Sequence, residues 1–142
     1  MKLVKQLLDN KGHEIHSIEP DASVFDAIKL MAEKEIGALL VMEGDKLAGI
    51  ISERDYARKV ILKGRSSRET PIKDIMTVQV TYAHPEQSVQ ECMAVMTDKR
   101  IRHLPILENN VVVGMISIGD LVKAIIAEQQ FTIEQLEQYI SG

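Results

Sequence analysis

A segment of 36 residues occurs in two related copies in this chain. Residues 20–55 align without a gap onto residues 85–120, at a constant offset of 65 positions and with 12 identical pairs. Eight of the other 24 pairs exchange one apolar residue for another, as Val41 and Ile106 do. A duplication of this size predicts two similar halves packed about a pseudo-twofold axis, with related clefts.

Composition narrows the classes of protein to which the chain can belong. Its 142 residues are 45% apolar and 27% charged, as in an ordinary globular protein. A net charge of −4 and few aromatic residues argue against nucleic-acid binding, because phosphate-neutralising stripes and stacking platforms are both lacking. The single cysteine excludes an internal disulfide, and no apolar run indicates a signal peptide or membrane span. We therefore expect a cytoplasmic protein that binds neither nucleic acid nor membrane.

Each copy carries the same helix signal, which in the first copy follows a short extended stretch at 13–18. Ser23 and Ser88 each precede a valine, and a carboxylate follows three residues later, which is capping-box spacing. Apolar residues then recur at helical spacing: Val24, Ala27, Ile28 and Met31 in the first copy, and Val89, Cys92, Met93 and Met96 in the second. Cys92 is thus predicted to be a small core residue rather than a nucleophile.

Two apolar runs follow in each copy and predict a hairpin. They span 38–42 and 47–51 in the first copy, and 103–107 and 112–116 in the second. Second helices are expected to begin near Ser52 and Ser117. Their apolar stripes are Tyr56, Ala57, Val60 and Ile61 in the first copy, and Leu121, Val122, Ile125 and Ile126 in the second. Each copy is therefore predicted to run strand, helix, strand, strand, helix, an α+β arrangement whose helices cover one face of a small sheet.

The predicted organisation has five parts. They are an N-terminal extension at 1–12, a first unit at 13–63, a linker at 64–77, a second unit at 78–127 and an amphipathic C-terminal helix at 128–142. The linker is polar and contains Pro71, so it is expected to have little regular structure. The apolar residues of both terminal extensions need a cover, either the body of the chain or another subunit.

The motif with the most chemical content is Gly-x-Ile-Ser-x-x-Asp, which ends each copy. Its serine and aspartate are Ser52 with Asp55, and Ser117 with Asp120. The spacing is that of a capping box, and taken alone it favours a structural role. The same geometry suits a ligand, because a helix N-terminus attracts phosphate and a carboxylate one turn later can accept both hydroxyls of a ribose. The residues by themselves leave both interpretations open.

The cationic side chains near this motif are not duplicated. Arg102 and His103 begin the strand that should lie beside the second motif, whereas the first copy has glycine and alanine there. The first copy instead has Arg54 where the second has a glycine. Arginine offers a fork of donors for phosphate, and histidine can add another. His13 and His16 lack partners at metal-ligand spacing, so no metal site is predicted, and no catalytic set can be assembled.

The duplicated unit resembles the cystathionine-beta-synthase (CBS) domain, here as a tandem pair called a Bateman module. The resemblance rests on four segments in order, with the repeated motif among them: Pro20–Val24, Asp74–Thr77, Ile101–Ile106 and Ile116–Asp120. It covers about residues 13–127. It implies two CBS units packed through their sheets about two clefts. The chain departs from many relatives in that no attached enzyme, channel or transporter domain is expected.

By resemblance, the two clefts bind adenosine-containing ligands such as AMP, ADP, ATP, NAD(H) or S-adenosylmethionine. Asp55 and Asp120 would hold ribose hydroxyls, Ser52 and Ser117 would contact phosphate or ribose, and Arg102 and His103 would meet phosphate, with Arg54 as the cation of the first cleft. The residues that would flank the adenine are His16, Ile18, Ile36, Val80, Tyr82 and Ile101. Because the cations differ, the clefts are expected to be unequal, with the second copy as the stronger nucleotide site.

The function expected from this resemblance is a regulatory sensor without enzymatic activity or a catalytic cofactor. Ligand binding would alter the conformation of a homodimer. A second hypothesis is a ligand-independent interaction module whose apolar tails dock on a partner enzyme or transporter. A third and weaker one is a small enzyme that uses Arg102 and His103 on a nucleotide.

Overall fold

The computed structural model describes residues 2–141. The chain divides into two compact units. The first-copy unit is Ile15–Thr81, and the second-copy unit combines Met1–Glu14 with Tyr82–Gly142. The residues that open the chain therefore belong with the second copy, and not with the first copy that follows them.

The first-copy unit is built on a three-stranded sheet of order β1-β2-β3. Its elements are β1 (Ser17–Ile18), α2 (Val24–Lys34), β2 (Ala38–Glu43), β3 (Lys46–Ser52), α3 (Glu53–Tyr56), a π-helical segment (Ala57–Ile61) and a 3-10 turn (Ile72–Asp74). β1 is parallel to β2, and β2 and β3 form an antiparallel hairpin. The strands and helices lie in the order predicted for the duplicated unit.

The second-copy unit repeats this order around a two-stranded antiparallel sheet. Its elements are α1 (Val4–Lys11), α4 (Val89–Lys99), β4 (His103–Glu108), β5 (Val111–Ser117) and α5 (Ile118–Ser141). The counterpart of β1 is reduced to a single parallel bridge between Ala83 and Ile106. The predicted α+β class is confirmed in both units.

Serine caps fix the starts of the first helices as the sequence predicts. Ser23 Oγ accepts the backbone N–H of Asp26, and Ser88 and Glu91 form a reciprocal capping box. The predicted stripe residues Val24, Ala27 and Met31 are buried in the first-copy core. Their counterparts are buried in the second-copy core, and Cys92 among them is 1% exposed, which confirms it as a core residue. Burial, and then the nearby Glu91 charge, raise the pKa of the Cys92 thiol to about 11.

The chain reverses direction after each of these helices at an equivalent residue. Glu35 and Arg100 both adopt the left-handed conformation, with φ of 55° and 57°. Such a residue ends a helix and turns the chain out of the helical path. In the second copy Ile101 and Arg102 follow this reversal and lead into β4, which begins at His103. The end of the helix therefore places the predicted phosphate-binding residues, Arg102 and His103, at the start of the strand.

Each unit is completed by an arm, which is a segment from outside its duplicated copy. The N-terminal arm (residues 2–13) covers the second copy, and the middle arm (residues 67–77) covers the first. Equivalent backbone hydrogen bonds attach them: Val4 N to Gln87 O (2.9 Å) and Lys5 N to Pro85 O (3.0 Å) in one unit, Ile72 N to Ala22 O (2.9 Å) and Lys73 N to Pro20 O (3.0 Å) in the other. The arm that precedes each copy in the chain thus packs on the other copy.

The arms also supply core residues. Val4, Leu7 and Leu8 belong to the second-copy core, and Ile72 and Ile75 belong to the first-copy core. The expectation of a linker at 64–77 was therefore incomplete, because the segment has only one short 3-10 turn but contributes to a core. Ile72 and Ile75 alone are too few to show helical periodicity, so their apolar spacing carried no signal in the sequence. The apolar residues of the N-terminal extension, in contrast, were expected to need a cover.

Two duplicated glycines let the arms approach the sheets closely. A Cβ on Gly114 would lie 2.7 Å from Leu8 Cδ2, and a Cβ on Gly49 would lie 2.7 Å from Thr77 O. Both distances are shorter than van der Waals contact, so a side chain at either position would push the arm away. The shared glycine of the repeated motif is thus explained by packing.

Two predictions about the second helices were wrong in detail. The predicted break before 128 does not occur, because α5 runs unbroken from Ile118 to Ser141 and no glycine or proline lies between 120 and 141 to stop it. Several residues of the predicted stripes are also exposed rather than packed: Ala57, Ile61, Val122 and Ile126. The core uses a narrower face of each helix, which includes Val60 and Leu121.

Candidate functional site

The repeated serine–aspartate motif forms a helix cap in both units. In the second copy, Ser117 N donates to Asp120 Oδ2 at 2.8 Å, and Asp120 N donates to Ser117 Oγ at 3.2 Å. In the first copy, Ser52 N donates to Asp55 Oδ2 at 3.0 Å, and Asp55 N donates to Ser52 Oγ at 3.2 Å. The capping role is therefore present in both units, and it holds the aspartate carboxylate at the N-terminus of the helix.

The second-copy motif lies beside the strand start that carries the predicted cations. His103 pairs directly with Ser117 in the β4–β5 ladder, and Ile118 N donates to Arg102 O at 2.9 Å. Arg102 is exposed and His103 is half-buried. A hydroxyl, a carboxylate, a guanidinium and an imidazole are thus placed on neighbouring residues at one end of the hairpin.

A lysine that the sequence analysis did not select also reaches this place. Lys11, the last residue of α1, places its Nζ 2.7 Å from Asp120 Oδ2. The same ammonium donates to Met115 O on β5. The N-terminal arm therefore contributes a cation to the carboxylate that the resemblance assigns to ribose.

Two side chains of the N-terminal arm contact backbone carbonyls on the edge of β5 that is not paired with β4. Lys11 bonds to Met115 O, and His13 Nδ1 lies 3.0 Å from Val113 O. The two carbonyls are two residues apart on a strand, so they point in the same direction. In the first copy the corresponding edge group, Ile50 O, instead accepts the backbone N–H of Thr77 at 2.9 Å. Lysine and histidine side chains thus replace a backbone bridge in the second copy.

These contacts shift the pKa of two groups. Burial alone raises the pKa of Asp120, but the hydrogen bonds from Lys11 and Ser117 and the lysine charge outweigh it and hold that pKa below its usual value. The bond to Val113 O, and then Asp9, raise the pKa of His13. At neutral pH Asp120 is therefore an ionised acceptor.

The first-copy carboxylate is more completely engaged. Asp55 Oδ1 lies 3.0 Å from Lys59 Nζ and accepts Thr77 Oγ1 at 3.4 Å, while Oδ2 accepts both Ser52 donors. Its side chain is 12% exposed, against 23% for Asp120. Arg54 is exposed one residue before Asp55. The two motifs are accordingly unequal at their carboxylates, and Asp120 is the more accessible.

The residues expected to flank adenine lie on both units. Ile18 and Ile36 pack against the first-copy core, and Ile101 packs against the second-copy core. The remaining three are His16, whose carbonyl accepts Leu40 N, half-buried Val80, and Tyr82, which is 47% exposed and makes an edge contact with His84. Val80 falls in the first-copy unit and Tyr82 in the second-copy unit. Their adenine-binding role stays a prediction.

Sequence reasoning missed Lys11, Lys59 and Thr77 for one reason. None of them has a like residue at the offset of the duplication: Lys59 corresponds to Ala124 and Lys11 to Met76. A comparison of the two copies selects the residues that occur in both. These three residues have no such counterpart, so the comparison passed over them. Only the i, i+4 spacing of Asp55 and Lys59 carried a signal.

Comparison with known proteins identifies the repeated unit. The CBS domain model matches residues 4–62 and 72–127. The CBS domain-containing protein CBSX3, mitochondrial, of Arabidopsis thaliana is 45% identical over 127 residues, which are 86% of this chain and 62% of that protein. The chain thus spans less than two thirds of that relative.

Solved structures agree with this assignment. A protein with CBS domains from Burkholderia ambifaria is 56% identical, with a TM-score of 0.87 over 93% of this chain and 99% of that one. The CBS domain pair of protein MJ0100, in complex with 5′-methylthioadenosine and S-adenosyl-L-methionine, is 25% identical, with a TM-score of 0.79 over 90% and 98%. Within residues 2–141, no helix combines the length and apolarity needed to cross a bilayer.

Proposed function

Because this chain belongs to the CBS domain family, as a pair of CBS units of the regulatory kind, we propose that it senses an adenosine phosphate through the second-copy site. The observation that supports the proposal is the neighbouring placement of four residues at the start of α5. Ser117 and Asp120 form the cap of that helix, and the strand that pairs with β5 begins at His103, directly after Arg102. The pair from protein MJ0100 supports the adenosine part of the ligand, since that structure holds two adenosine compounds. Neither compound carries a phosphate, so the phosphate is inferred from Arg102, His103 and the start of α5.

Each group has a chemical task in this proposal. Ionised Asp120 accepts the ribose hydroxyls, and the N-terminus of α5 favours the phosphate. Arg102 and His103 donate to phosphate oxygens from β4. No bond is made or broken, so the site needs no nucleophile and no catalytic cofactor. Candidate ligands are AMP, ADP, ATP and NAD(H), because all of them present a ribose and a phosphate.

Replacing Asp120 by asparagine tests the site. We expect the Kd for AMP, measured by isothermal titration calorimetry, to rise roughly tenfold or more, because a charge-assisted hydrogen-bond acceptor is lost. Asp55→Asn is the matched control, since it changes the same motif in the copy whose carboxylate is less accessible, and it should change the Kd much less. A wild-type protein that binds no adenine nucleotide at millimolar concentration would contradict the proposal.

A regulatory site also needs a structural change that a ligand can bias. We propose that the responding assembly is a homodimer formed through the outer face of α5. Apolar residues recur on this face at heptad spacing, and all are exposed: Val122, Ile126, Ile133, Leu136 and Ile140. Isoleucines occupy one heptad position, and the other holds Val122, Gln129 and Leu136. Apart from the one glutamine, this is the pattern of a two-stranded coiled coil. This face lies opposite Leu121 and Ala124, which are buried in the unit's own core.

Leu136→Glu tests this interface. We expect the variant to be monomeric at protein concentrations at which the wild type is dimeric, because a charge would replace a buried apolar contact. Analytical ultracentrifugation gives the mass. Gln138→Glu adds the same charge to the same helix off the heptad positions and should remain dimeric. A monomeric wild type would favour the alternative in which α5 docks on a different protein.

A further inference from the structure

We infer that Lys11 is a ligand-binding residue of the second-copy site, where its ammonium leaves Asp120 for the phosphate of a bound adenosine phosphate. The inference rests on the proposed function and deepens it. It assigns the choice between phosphorylated and unphosphorylated ligands to the N-terminal arm, which lies outside both copies of the duplicated segment.

One oxygen atom of the Asp120 carboxylate is shared by two donors. Asp120 Oδ2 already accepts two donors, Ser117 N at 2.8 Å and Lys11 Nζ at 2.7 Å. A ribose diol that binds a carboxylate through both hydroxyls needs both of its oxygens. Ser117 N is fixed by the helix cap, whereas Lys11 is a flexible side chain. Lys11 is therefore the donor that gives way when a diol binds.

The charges then decide which ligand gains. Without ligand, Lys11 and Asp120 neutralise each other at 2.7 Å. A neutral nucleoside that takes Asp120 would leave the ammonium without its counter-ion, which opposes binding. A phosphate supplies a new anion, and a charge-assisted hydrogen bond replaces the one that was lost. The exchange thus disfavours adenosine and favours AMP at the same site.

The position of Lys11 permits this exchange with little movement. An ammonium has three donors, and one of them is held by Met115 O on β5, two residues before Ser117. Lys11 can keep this contact while another donor turns from Asp120 towards a phosphate at the start of α5. Arg102 and His103 approach the same end of the hairpin from β4, since His103 pairs with Ser117. Cations would then reach the phosphate from both α1 and β4.

The two copies differ in a way that sets up the comparison. In the first copy, Lys59 also bonds to the motif carboxylate (Asp55, 3.0 Å) and to a backbone carbonyl (Ile75 O, 3.0 Å), but this carbonyl belongs to the middle arm and not to a strand. Lys59 itself belongs to the helical segment that follows the motif and not to an arm. Asp55 also accepts Thr77, so its release requires more than one donor to move. The exchange is therefore assigned to Lys11 alone.

The test compares AMP with adenosine by isothermal titration calorimetry on the full chain. For Lys11→Met we expect the Kd for AMP to rise roughly tenfold or more, the usual effect of losing a charged hydrogen bond. The Kd for adenosine should stay the same or fall, because the competitor for Asp120 is gone. Lys5→Met is the matched control: it removes a cation from the same helix, where Lys5 pairs with exposed Glu86. It should change neither Kd.

Two further variants keep the test decisive. Lys11→Gln retains a donor for Met115 O and should give the same selective loss even if Lys11→Met disturbs the arm. Lys11→Arg should retain most of the preference for AMP. Equal weakening of AMP and adenosine in Lys11→Met and Lys11→Gln, or unchanged AMP binding, would overturn the role of Lys11 and leave the proposed function intact. A wild type that binds neither ligand would overturn both.

Discussion

Replacing Leu8 by alanine is expected to lower the free energy of unfolding by about 2–5 kcal/mol, the range for removing a large apolar side chain from a core. Leu8 is 1% exposed and packs in the second-copy core beside Gly114. Alanine is an excellent helix former, so the loss would come from packing and not from α1 itself. Urea unfolding followed by circular dichroism measures the difference.

The control for this prediction is Lys5→Ala in the same helix. Lys5 is exposed and forms a surface ion pair with Glu86 at 3.3 Å, and such pairs contribute at most about 1 kcal/mol. A Leu8→Ala variant as stable as the wild type would mean that the N-terminal arm is a dispensable extension. It would then contradict the packing of α1 in the second-copy unit.

The second large effect is expected at Gly49. Gly49→Ala should cost about 1–3 kcal/mol, the usual range for overpacking, because its new Cβ would lie 2.7 Å from Thr77 O. That carbonyl is fixed by a backbone bridge, since Thr77 and Ile50 exchange hydrogen bonds. Differential scanning calorimetry and urea unfolding both report the loss. The middle arm must move as a whole to relieve the contact.

Gly114→Ala is the matched variant in the other copy and should cost less than half as much. There the new Cβ would meet Leu8 Cδ2 at 2.7 Å, and a side-chain methyl can turn away. In a Leu8→Ala background the same substitution should be neutral or stabilising, because the obstructing methyl is gone. Equal costs at the two glycines would show that the neighbours do not determine the effect.

Much of the fold follows from the repeated segment. The Ser23 and Ser88 caps, the hairpins and the order of elements all rest on local signals that occur twice, and each occurs where predicted. The length of α5 did not follow, because the apolar pattern changes face along one helix and was interpreted as two helices. Residues such as Val122 are apolar and lie outside the core, so apolar spacing alone overstated the buried face.

The relation between the two arms escaped detection for a geometric reason. They are related to each other at an offset of 68 and not 65, as the bonds of Val4 to Gln87 and of Ile72 to Ala22 show. The three extra residues lie before Ile18, whose counterpart Ala83 is still at the offset of 65, and they interrupt an ungapped alignment there. A pattern search therefore ends where the arms begin, although Val4 and Ile72 have equivalent places in the two units.

The candidate site also combines residues that the sequence predicted with one that only the structure shows. Ser117, Asp120, Arg102 and His103 were selected from local motifs, and the structure brings their backbones together by strand pairing and a helix cap. Lys11 comes from 109 positions away in the chain. No local pattern links it to Asp120, because the approach of α1 to β5 depends on the packing of Leu8 against Gly114. A long-range contact of this kind requires the structure.

The exchange of arms between the copies has a consequence for synthesis on the ribosome. Residues 15–81 form a unit whose parts are all synthesised, and leave the ribosome, before those of the second copy. The N-terminal arm precedes this unit in the chain, yet the residues that the arm covers, such as Gln87 and Gly114, are translated long after it. Its apolar side chains must wait for them, so the arm is synthesised before the first copy but reaches its native position after that copy can fold.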